Sequence, residues 1–216
     1  MRVVLLGPPG AGKGTHAVML SQEFGIPHIS TGDIFREEMK SKTALGMVAG
    51  SHIDKGNLVP DEVVLGIVQN RLEKDDARDG FILDGFPRTI PQAEKLEVML
   101  GKKKAGLDAV AYLFAPEEII VQRLSGRRVC RRCGAVFHTV NIPPRREGIC
   151  DNCGGELYRR KDDSPEAVRQ RMRQYEAKTA GLIDYYGQQG LVFRVDAGIA
   201  REETYELLRE ILARFQ

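Results

Sequence analysis

The chain has 216 residues, 42% of them apolar and 29% charged, with a formal net charge of +2 at pH 7. This length supports one good core with appendages, and the near balance of charge excludes a nucleic-acid scaffold or a membrane-surface protein. No apolar stretch approaches the ~20 residues needed to span a bilayer, and a glycine-rich loop already begins at Gly7, so neither a membrane anchor nor a cleavable leader is expected, and the reading is a cytoplasmic enzyme.

An apolar run at 3–6 reads as the first strand and passes directly into Gly7-Pro8-Pro9-Gly10-Ala11-Gly12-Lys13-Gly14-Thr15, after which 13–24 has helical periodicity. Strand, glycines, lysine and helix in that order form a phosphate cradle. Glycines let successive backbone N–H groups turn toward one centre, and the helix start adds its own unpaired N–H groups and positive dipole end. Lys13 supplies a mobile cation for the outer phosphates of a nucleoside triphosphate. The place after this lysine, where a magnesium-holding Ser or Thr would be looked for, is Gly14, and the hydroxyl arrives one position late at Thr15.

A second strand at 26–29 leads to a polar, helical insert at 31–59 punctuated by Gly46, Gly50 and Gly56, then a helix at 61–73 and a strand at 81–83. Asp84 ends that apolar strand, where a carboxylate suits the organisation of magnesium and its waters; hydrogen bonding to a core loop is the alternative. A helix at 92–100, a strand at 109–114 and a helix at 116–124 follow. Residues 127–163 are dense in glycine, proline, arginine and cysteine. Ser164-Pro165-Glu166 then opens a helix over 165–186 with a hydroxyl cap, a proline whose missing N–H does no harm, and an acid near the positive end. A strand at 191–195 and a helix at 202–215 complete the chain.

This alternation specifies an α/β fold with about five parallel strands, helices on both faces, and ligands at the carboxyl ends of the strands. Connections beyond ~12–15 residues are usually functional or disordered, so the two inserts are expected to be ordered flaps.

All four cysteines fall in the second insert, as Cys130-Arg-Arg-Cys133-Gly and Cys150-Asp-Asn-Cys153-Gly. Each turn offers two thiolates, and together they suit a structural, tetrahedral Zn²⁺ with bonds of ~2.3 Å and no open position for chemistry. Iron in a rubredoxin-like site would use the same ligands. Two disulfides are disfavoured by the expected compartment and by the strain of bridging cysteines so close in sequence. A metal here would stand in for a hydrophobic core that so small a flap could not build.

Basic residues gather around this insert: Arg123, Arg127, Arg128, Arg159, Arg160, Lys161, Arg169 and Arg171, with Arg88 just beyond Asp84. Most surface arginines are only solvated charge. A phosphoryl group in flight gives these a target, because its spread negative charge needs several cations in a dry site. A zinc ribbon contacting nucleic acid through Arg131, Arg132, Arg145 and Arg146 is the competing reading, weakened by the lack of interleaved aromatics.

The phosphate loop, Ser30-Thr31-Gly32-Asp33, Asp84-Gly85-Phe86-Pro87-Arg88-Thr89-Ile90-Pro91-Gln92, Gly126-Arg127-Arg128 and Arg159-Arg160-Lys161-Asp162-Asp163 together resemble the bacterial adenylate kinases, in their long form with a zinc-binding lid. The similarity runs along essentially the whole chain. It implies a P-loop nucleoside-monophosphate-kinase-like fold, with a core of residues 1–29, 60–125 and 164–216, a monophosphate-binding flap at 30–59 and a lid at 126–163. It also implies ATP + AMP ⇌ 2 ADP with Mg²⁺, and a monomer that takes no nucleic-acid or membrane partner.

By the same resemblance, Gly10, Ala11, Gly12, Lys13, Gly14 and Thr15 surround the ATP phosphates, Arg127 clamps them, Arg123 lies near the base, and the backbone of Val136, Phe137 and Ile199 touches ATP. AMP falls to Thr31, Arg36, the backbone of Asn57, Leu58 and Val59, then Gly85, Phe86, Pro87, Arg88 and Gln92. Arg160 and Arg171 reach the phosphates across a closed cleft, Asp84 organises the magnesium waters, and Gly14 fits the family's own loop variant. The catalytic set so implied is Lys13, Asp84, Arg88, Arg127, Arg160 and Arg171.

The chemistry is consistent with this from a separate direction. A sugar hydroxyl needs a base to accept its proton, whereas a nucleoside monophosphate presents an oxygen already ionised near neutrality, its second pKa being ~6. Catalysis then reduces to alignment, fixed positive charge and exclusion of water. A motor or regulatory NTPase is the second functional class, and kinases of GMP, UMP/CMP or dTMP are the runner-up identities.

Overall fold

A computed structural model describes residues 1–216. The strands are β1 (Arg2–Leu6), β2 (His28–Ser30), β3 (Phe81–Asp84), β4 (Ala109–Phe114), β5 (Arg127–Cys130), β6 (Val136–His138), β7 (Leu157–Tyr158) and β8 (Val192–Asp196). The helices are α1 (Lys13–Phe24), α2 (Thr31–Lys40), α3 (Ala44–Ile53), α4 (Asp61–Leu72), α5 (Ile90–Lys102), α6 (Glu117–Ser125), α7 (Pro165–Gln174), α8 (Leu182–Gly187) and α9 (Arg201–Leu212).

Five strands form one parallel sheet in the order β2-β3-β1-β4-β8. Because successive side chains of a strand point to opposite faces, β1 divides between two cores. Val4 and Leu6 join Leu83 and Val110 beneath α4, α5 and α8, while Val3 and Leu5 join Ile82, Ala111 and Leu113 against α1 and α9. A sheet buried on both faces has no polar alternation, which is why its strands read as short continuous apolar runs. The five expected strands are present with ends moved by a residue or two.

The second insert carries a separate antiparallel sheet in the order β6-β5-β7, with Cys130, Phe137, Cys150 and Leu157 as its small buried cluster. The first insert is the helix pair α2 and α3. Ser30 caps α2 by accepting from Asp33 N at 3.2 Å, and Ser164 caps α7 by accepting from Ala167 N at 3.2 Å, as the Ser-Pro-Glu signature predicts.

One expected element is divided. Instead of a single helix over 165–186, α7 ends at Gln174, a π-helical turn spans Tyr175–Thr179, and α8 starts at Leu182. Widening by a residue, marked by Ala180 N bonding to Tyr175 O at 2.9 Å, shifts the helical face. Arg171 can then line the cleft while Thr179, Leu182 and Tyr186 are buried. Periodicity alone carries no signal for such a turn. No helix is long and apolar enough to cross a membrane.

Candidate active site

The loop between β1 and α1 winds through glycines with left-handed or otherwise positive φ, Gly7 at 140°, Gly10 at 87° and Gly12 at 91°. Gly12 caps α1 without any side-chain acceptor, so the helix's first N–H groups stay open to an anion. Lys13 Nζ folds back onto this loop, donating to Gly7 O at 2.7 Å and Pro8 O at 2.8 Å. Enclosure pushes the Lys13 ammonium down to about 7; Asp84 pulls it the other way, and Arg88, Arg171 and Arg127 add to the depression. Such a lysine is short of negative charge, which polyphosphate would supply.

Asp84 stands at the carboxyl end of β3, opposite Leu5 of β1 and Ser30 of β2. Burial alone would raise its pKa, but His28, 3.5 Å away, and then Lys13 hold it below the ordinary carboxylate range. It therefore stays ionised. A Cβ on Gly14 would lie 3.2 Å from Asp84 Oδ2, so the residue after the lysine packs tightly against this carboxylate. The donor set, an ionised buried carboxylate beside an open phosphate loop, fits a hydrated Mg²⁺.

Arg88 is fastened at several points. Its Nε donates to Gly85 O at 2.8 Å, its backbone N donates to Gln92 Oε1 at 2.8 Å, and its carbonyl accepts from Thr179 Oγ1 at 2.9 Å. Gln92 is 1% exposed, and its amide nitrogen donates to Asp61 at 2.7 Å, so in this structure its side chain supports the Arg88 loop. Phe86 and Pro87 are likewise buried, leaving backbone as their means of meeting a ligand. Thr31 Oγ1 donates to Gly85 O at 2.9 Å, and Arg36 pairs with Asp33 at 2.6 Å. Asn57 accepts from Gln170 at 2.8 Å; Leu58 and Val59 continue that stretch into α4.

From the cysteine-bearing insert, Arg127 Nε donates to Asp163 Oδ2 at 2.8 Å and its Nη2 makes the second, parallel bond to the same carboxylate. Arg171 of α7 reaches Asp162 Oδ2 and Asp163 Oδ1, each at 3.2 Å. Burial lowers Arg160 to about 10, with Arg36 and Arg127 contributing, and its Nε is buried without a partner. An orphaned guanidinium N–H among other arginines marks an anion position. Arg123 lies beside Ile199, donating to its carbonyl at 3.4 Å. The inserts meet across the cleft, where Lys161 Nζ is 3.1 Å from Asp54 Oδ2.

Lys13, Asp84, Arg88, Arg127, Arg160 and Arg171 thus surround one cleft. Arg128, Arg159 and Arg169 do not join them: Arg128 bonds backbone carbonyls, Arg159 donates to Asp163 O at 2.5 Å, and Arg169 pairs with Glu166 outside. Arg131 stacks 4.4 Å over Tyr158, and Arg132 bonds Cys153 O at 3.2 Å, so both serve the insert itself. In sequence Asp162 and Asp163 stand in the Arg159-Arg160-Lys161-Asp162-Asp163 stretch that carries the family resemblance, but with no role assigned to either; Asp61 and Thr179 carry no signal.

The four Sγ atoms of Cys130, Cys133, Cys150 and Cys153 lie within 4.8 Å of one another. Cys130 to Cys153 is 3.4 Å and Cys133 to Cys150 is 3.6 Å, close to the ~3.8 Å edge of a tetrahedron with ~2.3 Å bonds. Gly134 and Gly154 take φ of 75° and 70°, closing matched turns, and Arg132 N donates to Cys130 Sγ at 3.3 Å. The cluster fits zinc.

A family model described as adenylate kinase matches residues 5–191. Adenylate kinase of Caldicellulosiruptor saccharolyticus is 53% identical over 212 residues, covering 98% of this chain and 97% of the relative. That of Carboxydothermus hydrogenoformans is 50% identical over 98% of this chain and 99% of the relative. That of Archaeoglobus fulgidus is 50% identical over the full length of both.

Proposed function

The chain belongs to the adenylate kinase family, and from that premise we propose how its own residues divide the work of ATP + AMP ⇌ 2 ADP. It is a phosphotransferase in which a non-bridging oxygen of the AMP phosphate bonds to the γ-phosphorus of ATP as the bond from that phosphorus to the β,γ-bridging oxygen breaks. ADP leaves with that oxygen, and the acceptor becomes ADP. The acceptor oxygen is already ionised near neutrality, so no general base is needed.

Residues 10–15 cradle the ATP phosphates, with Lys13 following the transferred group. Arg127 clamps the donor, Arg123 and the backbone of Ile199, Val136 and Phe137 hold its nucleoside, and Arg88, Arg36 and Arg160 grip the acceptor phosphate. Thr31, Asn57 to Val59, Gly85 to Pro87 and Gln92 form the AMP side. Arg171 neutralises charge between the two nucleotides. The family uses Mg²⁺ with ATP; the ion supplies neutralisation of phosphate charge, and Asp84 is the residue here suited to ordering its waters. In this reading residues 30–59 close over AMP and 126–163 over ATP, around a core of 1–29, 60–125 and 164–216. Closure excludes the water that would otherwise hydrolyse ATP.

Four thiolates in the lid hold a structural Zn²⁺, which cross-links a small sheet with little apolar core. The enzyme works as a cytoplasmic monomer, without nucleic-acid or membrane partners.

The observation that carries the residue assignments is the convergence of Lys13, Arg88, Arg127, Arg171 and the unpartnered Nε of Arg160 on a cleft next to an ionised Asp84. The deciding assay offers ATP with AMP, GMP, CMP, UMP or dTMP in turn. ADP formation with AMP alone is expected. Phosphate release from ATP without an acceptor would favour an NTPase instead.

A further inference from the structure

Gly126 closes α6 and is followed at once by β5, whose first residue is Arg127. The core and the cysteine-bearing lid are therefore joined at this point by a glycine. A Cβ at Gly126 would lie 2.2 Å from His138 Nε2, so the space a side chain would occupy is filled by the imidazole of a residue on β6. His138 is 7% exposed. Its Nδ1 accepts from Val140 N and Asn141 N, each at 3.0 Å, which puts the ring proton on Nε2. That nitrogen is 3.2 Å from Gln122 O in the last turn of α6. In the antiparallel register His138 pairs with Arg127.

We propose that His138 is a positioning residue for phosphoryl transfer: its Nε2–H pins the lid to the C-terminal turn of α6, across Gly126, and thereby sets where Arg127 meets the donor phosphates. Gln122 O also accepts from Gly126 N at 3.2 Å and from Ser125 Oγ at 2.9 Å, so the imidazole joins the bonds that close this end of α6. The other ring nitrogen is committed to the turn after β6, so the ring cannot rotate without breaking bonds on both sides. The lid is thus tied to the core by a side chain as well as by the chain itself. Of the acceptor-side residues only Arg160 belongs to the lid, where it follows β7 rather than β5 or β6; the others lie on the core and the α2–α3 insert.

The proposal rests on Arg127 being a donor clamp, and the test separates the two. KM for ATP and for AMP, kcat and zinc content are measured for wild type, Arg127→Ala, His138→Ala, His138→Gln, His138→Asn and Gly126→Ala. Loss of one such hydrogen bond predicts KM for ATP about 3- to 10-fold higher in His138→Ala, with KM for AMP within about twofold and zinc retained. Gln places a donor at the Nε2 position and should restore KM for ATP, whereas Asn repairs only the turn acceptor and should not. Gly126→Ala, whose φ of −85° tolerates a side chain, should displace the ring and mimic His138→Ala; adding His138→Ala to it should cost little more.

Rescue by Asn rather than Gln would show that the turn alone matters and would overturn the pin. So would parallel rises in both KM values, loss of zinc, or an unaltered KM for ATP in both His138→Ala and Gly126→Ala. If His138→Ala does not fold, the Gln and Asn variants decide the matter. An unaltered KM for ATP in Arg127→Ala would instead remove the clamp on which the proposal is built.

Discussion

Arg127 and Asp163 meet fork to fork, two guanidinium nitrogens on one carboxylate whose side chain is fully shielded from solvent. The same carboxylate also touches Arg171 at 3.2 Å, so a single acid keeps two like charges together at the place where phosphates would gather. This is preorganisation of a cationic site by an anion that is not its ligand.

Asp163→Asn should lower the stability of the nucleotide-free enzyme by about 3–5 kcal/mol, because two enclosed arginines lose their common counter-charge. Thermal melts with and without a bisubstrate polyphosphate analogue check this. The deficit should shrink with the analogue bound, since its oxygens replace the carboxylate; an equal deficit in both states would contradict the argument.

Nucleotide binding should take up a proton above pH 7. Lys13 sits at about 7 in the free cleft, and a polyphosphate beside it raises that value, so protons are bound over the window between the two. Affinity should accordingly weaken as pH rises beyond neutrality. Calorimetry at pH 8 in buffers of different ionisation enthalpy reads the uptake directly, and Lys13→Met should abolish it.

Lys13→Ala or Arg88→Ala should reduce transfer by several orders of magnitude while the fold persists, the loss falling mainly on kcat. Near-normal turnover with an unaltered melting curve would remove these residues from the reaction.

Replacing Cys130 with Ser, or stripping metal with a chelator, should loosen the lid and lower the melting temperature while the parallel sheet stays folded. Metal analysis should return one zinc per chain. A melt indifferent to chelator would refute a structural metal.

Acid should destabilise the protein in two steps. Asp84 and Asp162 are both held below the ordinary 3.8 despite burial, Asp84 by His28 and Lys13, Asp162 by Arg171, Arg127 and Arg160. A depressed carboxylate adds stability that is complete above its unfolded value and lost as pH falls through the folded one. The melting temperature should therefore begin to fall below about pH 6.5, because enclosed His16, pushed down to about 4, resists the proton that the unfolded chain accepts, and should drop further below about pH 4, that last step being smaller in Asp162→Asn.

Much of this was legible in the chain itself, and the reasons are local. The phosphate loop is a contiguous arrangement of strand, glycines, lysine and helix start, and the paired cysteines are contiguous turns, so adjacency in sequence is adjacency in space. The apolar runs of β1, β3 and β4 reveal strands buried on both faces. What escaped was what depends on distant partners. Gln92 is occupied by Asp61, Arg88 is held by Thr179, and Arg127 is held by Asp163, pairings 31, 91 and 36 residues apart that no spacing rule foretells. By residue type alone the arginines of the 123–171 stretch look alike; the family resemblance singles out Arg127, Arg160 and Arg171, and packing shows why Arg128, Arg159 and Arg169 are set apart.

The π turn at Tyr175–Thr179 makes residue count itself a constrained quantity in this part of the chain. One residue more or fewer in a helix rotates everything beyond it by about 100°. A deletion that restored regular winding would swing Thr179 off the Arg88 carbonyl, or Arg171 out of the cleft, even though no side chain had been substituted. Insertions and deletions that surface loops absorb freely would here be as damaging as losing an arginine, and the extra residue is expected to persist wherever this arrangement of arginines does.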